Sequence, residues 1–167
     1  MVRACVRAPG ALLAACLLLA CSDDRPVPAS TSPSGGPPAV TRVAVRTLPD
    51  GVTDGASWVK AQAEELARER RPALIYVGAE WCEPCKRFKA AAAAGELDAD
   101  LPGLVLLELD HDRDEAALAA MGCTSRMIPL LAVPAAEGRC TDRRLEGAIK
   151  GEGAVAWMTP KVQALLR

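Results

Sequence analysis

Two cysteines separated by two residues, Cys82 and Cys85, stand where a predicted strand gives way to a predicted helix, and this junction constrains the fold most. Residues 73–77 before them form a short apolar run of the kind expected for a buried central strand. From Pro84 onward there is no helix breaker until Gly95. A cysteine in the first turn of a helix faces unpaired backbone N–H groups and the positive end of the helix dipole, which stabilise its thiolate. The sequence therefore predicts a redox pair in which Cys82 attacks a substrate and Cys85, one turn deeper, resolves the mixed disulfide.

The rest of the hydrophobic pattern alternates between strand-like and helix-like segments. The first strand precedes a turn signal at 49–51, and the first helix, capped by Ser57, ends at Pro72. The tail is expected to be a helix that is interrupted or restarted at Thr159-Pro160. Apolar runs predict strands at 41–48, 104–109, 128–133 and 143–149 and helices at 114–121 and 152–166. The order β-α-β-α-β-α-β-β-α predicts an α/β domain.

The N-terminal segment resembles an export signal. Arg3 and Arg7 precede residues 11–20, which are only Ala, Leu or Cys. This run is shorter than the roughly 20 residues that a membrane-spanning helix needs, and it fits the apolar part of a cleaved signal peptide. Residues 18–21, Leu-Leu-Ala-Cys, resemble the lipobox of bacterial lipoproteins, which implies lipidation of Cys21 and attachment to a membrane on its periplasmic side. An ordinary cleaved signal with a chance cysteine is the alternative.

The segment after Cys21 is rich in proline, serine and glycine and holds almost no large apolar side chain. It cannot bury enough surface to fold, and we expect it to act as an extended tether. The predicted organisation is a signal peptide at 1–20, the lipidated cysteine with a disordered linker at 21–40, and a folded domain at 41–167. The formal net charge of −1 offers no basic surface, so nucleic-acid binding is not expected.

The hexapeptide Trp-Cys-Glu-Pro-Cys-Lys at 81–86 resembles the active site of thioredoxins. The stretch 57–86 resembles periplasmic thioredoxin-like proteins related to the C-terminal domain of the transmembrane thiol reductase. Downstream, Ile128-Pro129 matches the cis-proline loop of the family and Gly147 its late glycine. The resemblance covers residues 41–167 and implies a thioredoxin-like α/β fold, with a central mixed β-sheet flanked by helices.

The resemblance also implies a function, protein-disulfide exchange that needs no cofactor and no metal. The implied partners are protein thiols and disulfides, an upstream electron donor such as a transmembrane thiol reductase, and the membrane that holds the lipid, with inner and outer membrane both open. The implied substrate groove comprises Trp81, Glu83, Pro84, Ile128 and Pro129. By the same resemblance Pro129 is cis and faces the Cys82 sulfur.

Two positions depart from the thioredoxin pattern. Tyr76 stands six residues before Cys82, where thioredoxins carry a buried aspartate, and a phenol with a reference pKa near ~10 accepts protons poorly at neutral pH. We therefore expect water or Glu80 to take the proton from Cys85. Glu83 lies next to Cys82 and is expected to oppose the helix dipole, which favours the disulfide form and a reductase or isomerase over a strong oxidant.

The cysteines could also form a structural disulfide, a metal site or a haem-attachment site. A structural disulfide is the simplest alternative for any C-x-x-C, and a zinc site would need Cys123 and Cys140 at a spacing that no zinc ribbon or finger shares. Haem attachment requires His after Cys85, where Lys86 stands. A membrane-tethered Cu(I)-binding or assembly factor is the alternative from another functional class. His111 is interpreted as a solvated loop residue, which argues against Cys–His hydrolysis.

A second disulfide between Cys123 and Cys140 is left open by the sequence. Four cysteines remain once those of the signal peptide and the lipidated residue are set aside, which permits two bridges. The thioredoxin arrangement argues against this bridge, because it is expected to place Cys123 near the active-site end and Cys140 after a hairpin at the opposite end.

Overall fold

The computed structural model describes residues 42–167, which form five strands and four helices. The predicted signal peptide at 1–20, the predicted lipidation site Cys21 and the predicted linker at 21–40 lie outside the described residues. The strands are β1 (Ala44–Thr47), β2 (Ala73–Gly78), β3 (Val105–Asp110), β4 (Leu130–Pro134) and β5 (Cys140–Glu146). The helices are α1 (Gly55–Arg68), α2 (Glu83–Ala94), α3 (Glu115–Ala120) and α4 (Ala154–Leu165). None of these four helices combines the length and the apolar character needed to cross a membrane.

One mixed sheet runs through the domain in the order β1-β3-β2-β4-β5. β1, β3 and β2 are parallel to one another, whereas β4 is antiparallel to β2 and β5 is antiparallel to β4. The central strand β2 is buried from Leu74 to Gly78, because both of its faces are covered. The mixed sheet and its flanking helices confirm the predicted fold class, and the order of elements is the predicted one.

Successive residues of β2 point to opposite faces and supply two separate cores. On one face, α2 and α4 pack over Leu74 and Tyr76. On the other face, α1 and α3 pack over Ile75 and Val77. Because β2 is held from both sides, its carboxyl end is fixed, and the loop that leads to Cys82 starts from a rigid support.

Helix α1 begins earlier than predicted, and Asp54 is its N-cap instead of Ser57. Asp54 Oδ1 accepts a hydrogen bond from Ser57 N at 3.0 Å, and Ser57 Oγ donates to Asp54 Oδ2 at 2.6 Å. These hydrogen bonds lower the pKa of Asp54. Gly55 allows the added first turn to approach α3 closely, because a Cβ at this position would lie 2.7 Å from Met121 Sδ. The prediction that Ser57 caps the helix was wrong because the added first turn depends on close packing against α3, which the sequence does not show.

Two C-terminal elements also differ from the prediction. β5 spans Cys140–Glu146 instead of 143–149, because Gly147, with φ of 72°, turns the chain at the end of the strand. α4 continues through Pro160 without the expected interruption. The backbone donor that proline removes would have bonded the carbonyl of Ala156, and both residues are exposed, so water can satisfy this carbonyl instead.

Candidate active site

Cys82 is the N-cap of α2 and is bonded to Cys85 in the first turn. Pro84 lies between them, where its missing N–H costs little. The Cys82 sulfur accepts a hydrogen bond from Cys85 N at 3.3 Å, and the two Cα atoms are 5.2 Å apart. The sulfur that the sequence identifies as the nucleophile therefore lies at the helix N-terminus, where backbone N–H groups stabilise a thiolate.

The loop before β4 forms a wall of a cleft that reaches Trp81, the residue before Cys82. Its Ile128-Pro129 peptide bond is cis, as the resemblance implies. β4 pairs with β2 so that Leu130 lies opposite Val77, which brings this loop next to the residues that lead to Cys82. A cleft of about 300 Å³ is lined by Trp81, His111, Arg126, Met127, Ile128, Gly147 and Ala148. We call this space the groove.

The structure places two of the predicted groove residues, Trp81 and Ile128, in the lining of the groove. The Trp81 side chain is 65% exposed, which leaves its ring free to contact a substrate. Pro84 is buried in α2. Met127, which the sequence reasoning missed, also lines the groove and is 58% exposed. Its position next to the cis-proline dipeptide was the signal that could have identified it.

Glu83 turns away from the groove and contacts α2 and the loop after β5. One oxygen pairs with Arg87 one helical turn on, and the other accepts a hydrogen bond from Gly151 N at 3.2 Å. The bonds to Arg87 and to Gly151 hold the pKa of Glu83 below its usual value. The expectation that Glu83 opposes the helix dipole at Cys82 must be corrected in part, because its charge is already paired with a guanidinium.

His111 lies in the loop after β3 with its side chain 38% exposed, as the sequence predicts, and it also contacts Trp81. Its ring stands edge-on to Trp81, with centroids 6.0 Å apart, and its Nδ1 lies 2.8 Å from Asp112 Oδ1. Trp81 Nε1 donates to Asp112 Oδ2 at 2.7 Å. The contacts with His111 and then Trp81 lower the pKa of Asp112. The signal for this cluster is its place directly after β3, since β2 and β3 are parallel and end at the same edge of the sheet.

Behind the disulfide, Tyr76 fills the position of the missing aspartate. Its side chain is fully buried, and Tyr76 Oη donates a hydrogen bond to the Cys85 carbonyl at 3.1 Å. Burial, with a smaller effect of the Glu108 charge, raises the pKa of Tyr76 well above its usual value. Tyr76 therefore acts as a hydrogen-bond donor and does not accept a proton at neutral pH.

A second, polar cleft of about 670 Å³ reaches Cys85 from the side of β3. Glu108 lines it, next to Tyr76 across the β2–β3 pairing. Glu108 Oε1 lies 2.5 Å from Lys89 Nζ, and Oε2 accepts a hydrogen bond from Thr47 at 2.9 Å. Glu80, the acid that the sequence favoured, lines the same cleft but is exposed. Glu108 was missed because only the strand register brings it to the site.

Cys123 and Cys140 are bonded to each other, with Cα atoms 5.2 Å apart. Cys140 N donates to the Met121 carbonyl at 3.0 Å, so the start of β5 lies beside the end of α3. Cys123 and Cys140 therefore do not lie at opposite ends of the domain, in contrast to the expectation from the thioredoxin arrangement. The four cysteines of the described domain form two separate pairs, and no cluster of three or more metal-ligating side chains occurs within residues 42–167.

Comparison with protein families agrees with this geometry. A protein-family model described as thioredoxin-like matches residues 54–136, which include both active-site cysteines and the cis-proline loop. Among solved structures, a poplar thioredoxin h is similar at 26% identity, covering 75% of this chain and 96% of its own, with a TM-score of 0.47. Thioredoxin O2 of Arabidopsis thaliana, in its oxidised state, has 16% identity, 76% and 96% coverage and a TM-score of 0.46.

A mutant thioredoxin of Halobacterium salinarum has 16% identity, covers 78% of this chain and 93% of its own, and has a TM-score of 0.45. No curated protein matches the chain significantly. The family match, the mixed sheet between helices and the bonded C-x-x-C pair support a thiol–disulfide oxidoreductase. On these observations the chain belongs to the thioredoxin-like family.

Proposed function

We propose that this protein reduces or isomerises disulfides of exported proteins while a lipid on Cys21 holds it at a bacterial membrane. The observation that carries the proposal is the Cys82–Cys85 disulfide at the start of α2, beside a groove with an exposed Trp81. The groove has a volume of about 300 Å³, and its apolar side chains Met127 and Ile128 suit an unfolded or partly folded protein.

The exchange reaction balances without a cofactor. In the reduced protein, the Cys82 thiolate attacks a substrate disulfide, a mixed disulfide forms, and one substrate sulfur leaves as a thiolate. The Cys85 thiol then loses its proton and attacks Cys82, which releases the second substrate thiol and closes the Cys82–Cys85 bond. An upstream dithiol, such as that of a transmembrane thiol reductase, returns two electrons to this bond.

Within this mechanism, we assign the role of proton acceptor for Cys85 to Glu108. Tyr76 cannot fill it, and Glu108 shares the polar cleft with Cys85 and forms an ion pair with Lys89. Water in a polar cleft of this size can connect the carboxylate to the thiol. Glu80 lines the same cleft from the exposed side and serves as the matched control.

Stopped-flow reaction with an aromatic disulfide tests this assignment, because each turnover releases two coloured thiolates in two phases. The first phase reports attack by Cys82 and the second reports attack by Cys85. Glu108→Gln should slow the second phase by at least about tenfold at neutral pH and leave the first unchanged. Glu80→Gln should leave both phases unchanged; if Glu80→Gln slows the second phase and Glu108→Gln does not, Glu80 is the acceptor.

Reduction of insulin by the dithiol-regenerated protein tests the function itself. Cys82→Ser should abolish the activity, and Cys85→Ser should trap mixed disulfides with substrate proteins in the periplasmic fraction. The equilibrium potential of the pair against glutathione tests the direction, with a value nearer about −270 mV than about −120 mV expected for a reductase. A Cu(I) titration of the reduced protein separates this function from metal delivery, since a delivery factor would bind Cu(I) tightly and fail to reduce insulin.

The membrane anchor is tested with the full chain. Cys21→Ser should prevent incorporation of labelled palmitate and move the protein from the detergent phase to the aqueous phase. Fractionation of the wild-type protein then identifies which membrane holds it. Wild-type protein that carries no lipid would refute the anchor and leave the exchange chemistry untouched.

A further inference from the structure

His111 forms part of the wall of the groove and is fixed in place. His111 and Ile128 line both the groove and a smaller cleft of about 180 Å³. The backbone N–H of His111 donates to the Gly78 carbonyl at 2.7 Å, which extends the pairing of β3 with β2 by one residue. The ring therefore has a set position relative to the loop that carries Trp81 and Cys82.

The orientation of the ring is set by Asp112. Because a carboxylate only accepts hydrogen bonds, the 2.8 Å contact with Asp112 Oδ1 assigns the hydrogen to His111 Nδ1. The other carboxylate oxygen is held by Trp81 Nε1 at 2.7 Å, so the three side chains restrain one another. Nε2 lies on the opposite side of the ring, where it accepts a hydrogen bond when the ring is neutral and donates one when the ring is protonated.

Histidine is the side-chain type that ordinarily changes charge between about pH 5 and 8. Among the described residues that line the groove, His111 is the one histidine. Arg126 keeps its proton at any pH of interest, and the remaining lining residues carry no ionisable group. The charged groups that face the ring are Asp112 on its own loop, Glu115 on α3 and Arg126 on the loop before β4.

We propose that protonated His111 donates a hydrogen bond from Nε2 to the sulfur that leaves a substrate disulfide when Cys82 attacks it. The inference rests on the proposed function. The Cys82 thiolate forms a bond with the nearer substrate sulfur, the substrate S–S bond breaks, and its electron pair goes to the farther sulfur. His111 stabilises this developing thiolate, transfers its proton to it, and is reprotonated from water.

The test compares two small disulfides in single-turnover reactions with the reduced protein, followed by tryptophan fluorescence. Hydroxyethyl disulfide has a basic leaving thiol and needs the hydrogen bond, whereas an aromatic disulfide has an acidic leaving thiol that departs without help. The measured quantity is the rate constant for hydroxyethyl disulfide divided by the rate constant for the aromatic disulfide. The ionisation of Cys82 affects both rate constants equally and cancels in this ratio. In the wild-type protein this ratio should fall by about tenfold between about pH 5 and about pH 9, as the imidazolium loses its proton.

His111→Asn is the main variant, because an asparagine amide can keep the hydrogen bond to Asp112 while the Nε2 proton is lost. The ratio should then be low and independent of pH, and His111→Gln should behave in the same way. Arg126→Gln removes a permanent cation from the same groove and should leave the pH dependence of the ratio intact.

Three results would overturn the proposal. The first is a wild-type ratio that does not change with pH, and the second is a His111→Asn ratio that still does. The third is an equal decrease of both rate constants in His111→Asn. An equal loss would mean that His111 only positions Trp81 and Cys82. Failure of the proposed function is a different result, in which the wild-type protein reacts with neither disulfide faster than Cys82→Ser.

Discussion

Removing the bridge between Cys123 and Cys140 should destabilise the domain strongly without changing its redox chemistry. The two cysteines are separated by 17 positions, and closing a loop of this length lowers the entropy of the unfolded chain by an amount worth about 3 kcal/mol. Cys123 is 1% exposed, so Cys123→Ala also leaves a small cavity that costs about 1 kcal/mol. We expect the double variant Cys123→Ala/Cys140→Ala to lose about 4 kcal/mol.

Urea denaturation of the oxidised proteins measures this loss, and a thermal scan should show a decrease in Tm of more than about 10 °C for a domain of this size. The single variants provide the internal control, because each already breaks the bridge. Their losses should therefore sum to about 3 kcal/mol more than the loss of the double variant. A double variant that loses less than about 1 kcal/mol, or single losses that simply add, would refute the reasoning. The potential of Cys82–Cys85 should not change.

Three further perturbations test individual contacts. Tyr76→Phe removes the hydrogen bond to the Cys85 carbonyl and should cost about 1 kcal/mol in urea denaturation, with the fold retained. Gly138→Ala should cost at least about 2 kcal/mol, because φ is 80° and the new methyl group would overlap a backbone carbonyl in the first turn of α1; Gly51→Ala, with the same φ and open space, should cost only about 1 kcal/mol. Because hydrogen bonds from the imidazole and the indole lower the pKa of Asp112, its contribution to stability is present above about pH 4 and is lost as the pH falls through the folded value. Asp112→Asn should remove this acid-side slope from the urea midpoint.

The redox pair and the order of elements could be predicted because both depend on short stretches of sequence. The apolar run of β2 and the breaker-free stretch after Pro84 together indicate a strand followed by a helix, which puts Cys82 at the helix N-terminus. The cis-proline loop was recognised from a dipeptide. In each case the residues that determine the local structure are neighbours in the chain.

The rest of the site depends on contacts between distant segments. Glu108 is brought to Cys85 by the register of β3 against β2, and nothing in the spacing of the two residues indicates it. His111 is the exposed loop residue that the sequence predicts, but its contact with Trp81 was missed because it exists only after the two strands align. The second disulfide was left open by the sequence because it depends on the close approach of β5 to the end of α3.

The hydrogen bond between Glu83 and Gly151 N ties the first turn of α2 to the loop that continues from Gly147 and Ala148, which line the groove. A bulky substrate that pushes this loop outward must therefore pull on the helix end that carries Cys82. We therefore expect the reactivity of Cys82 to depend on substrate size, with the highest reactivity toward peptides that bind without displacing this loop.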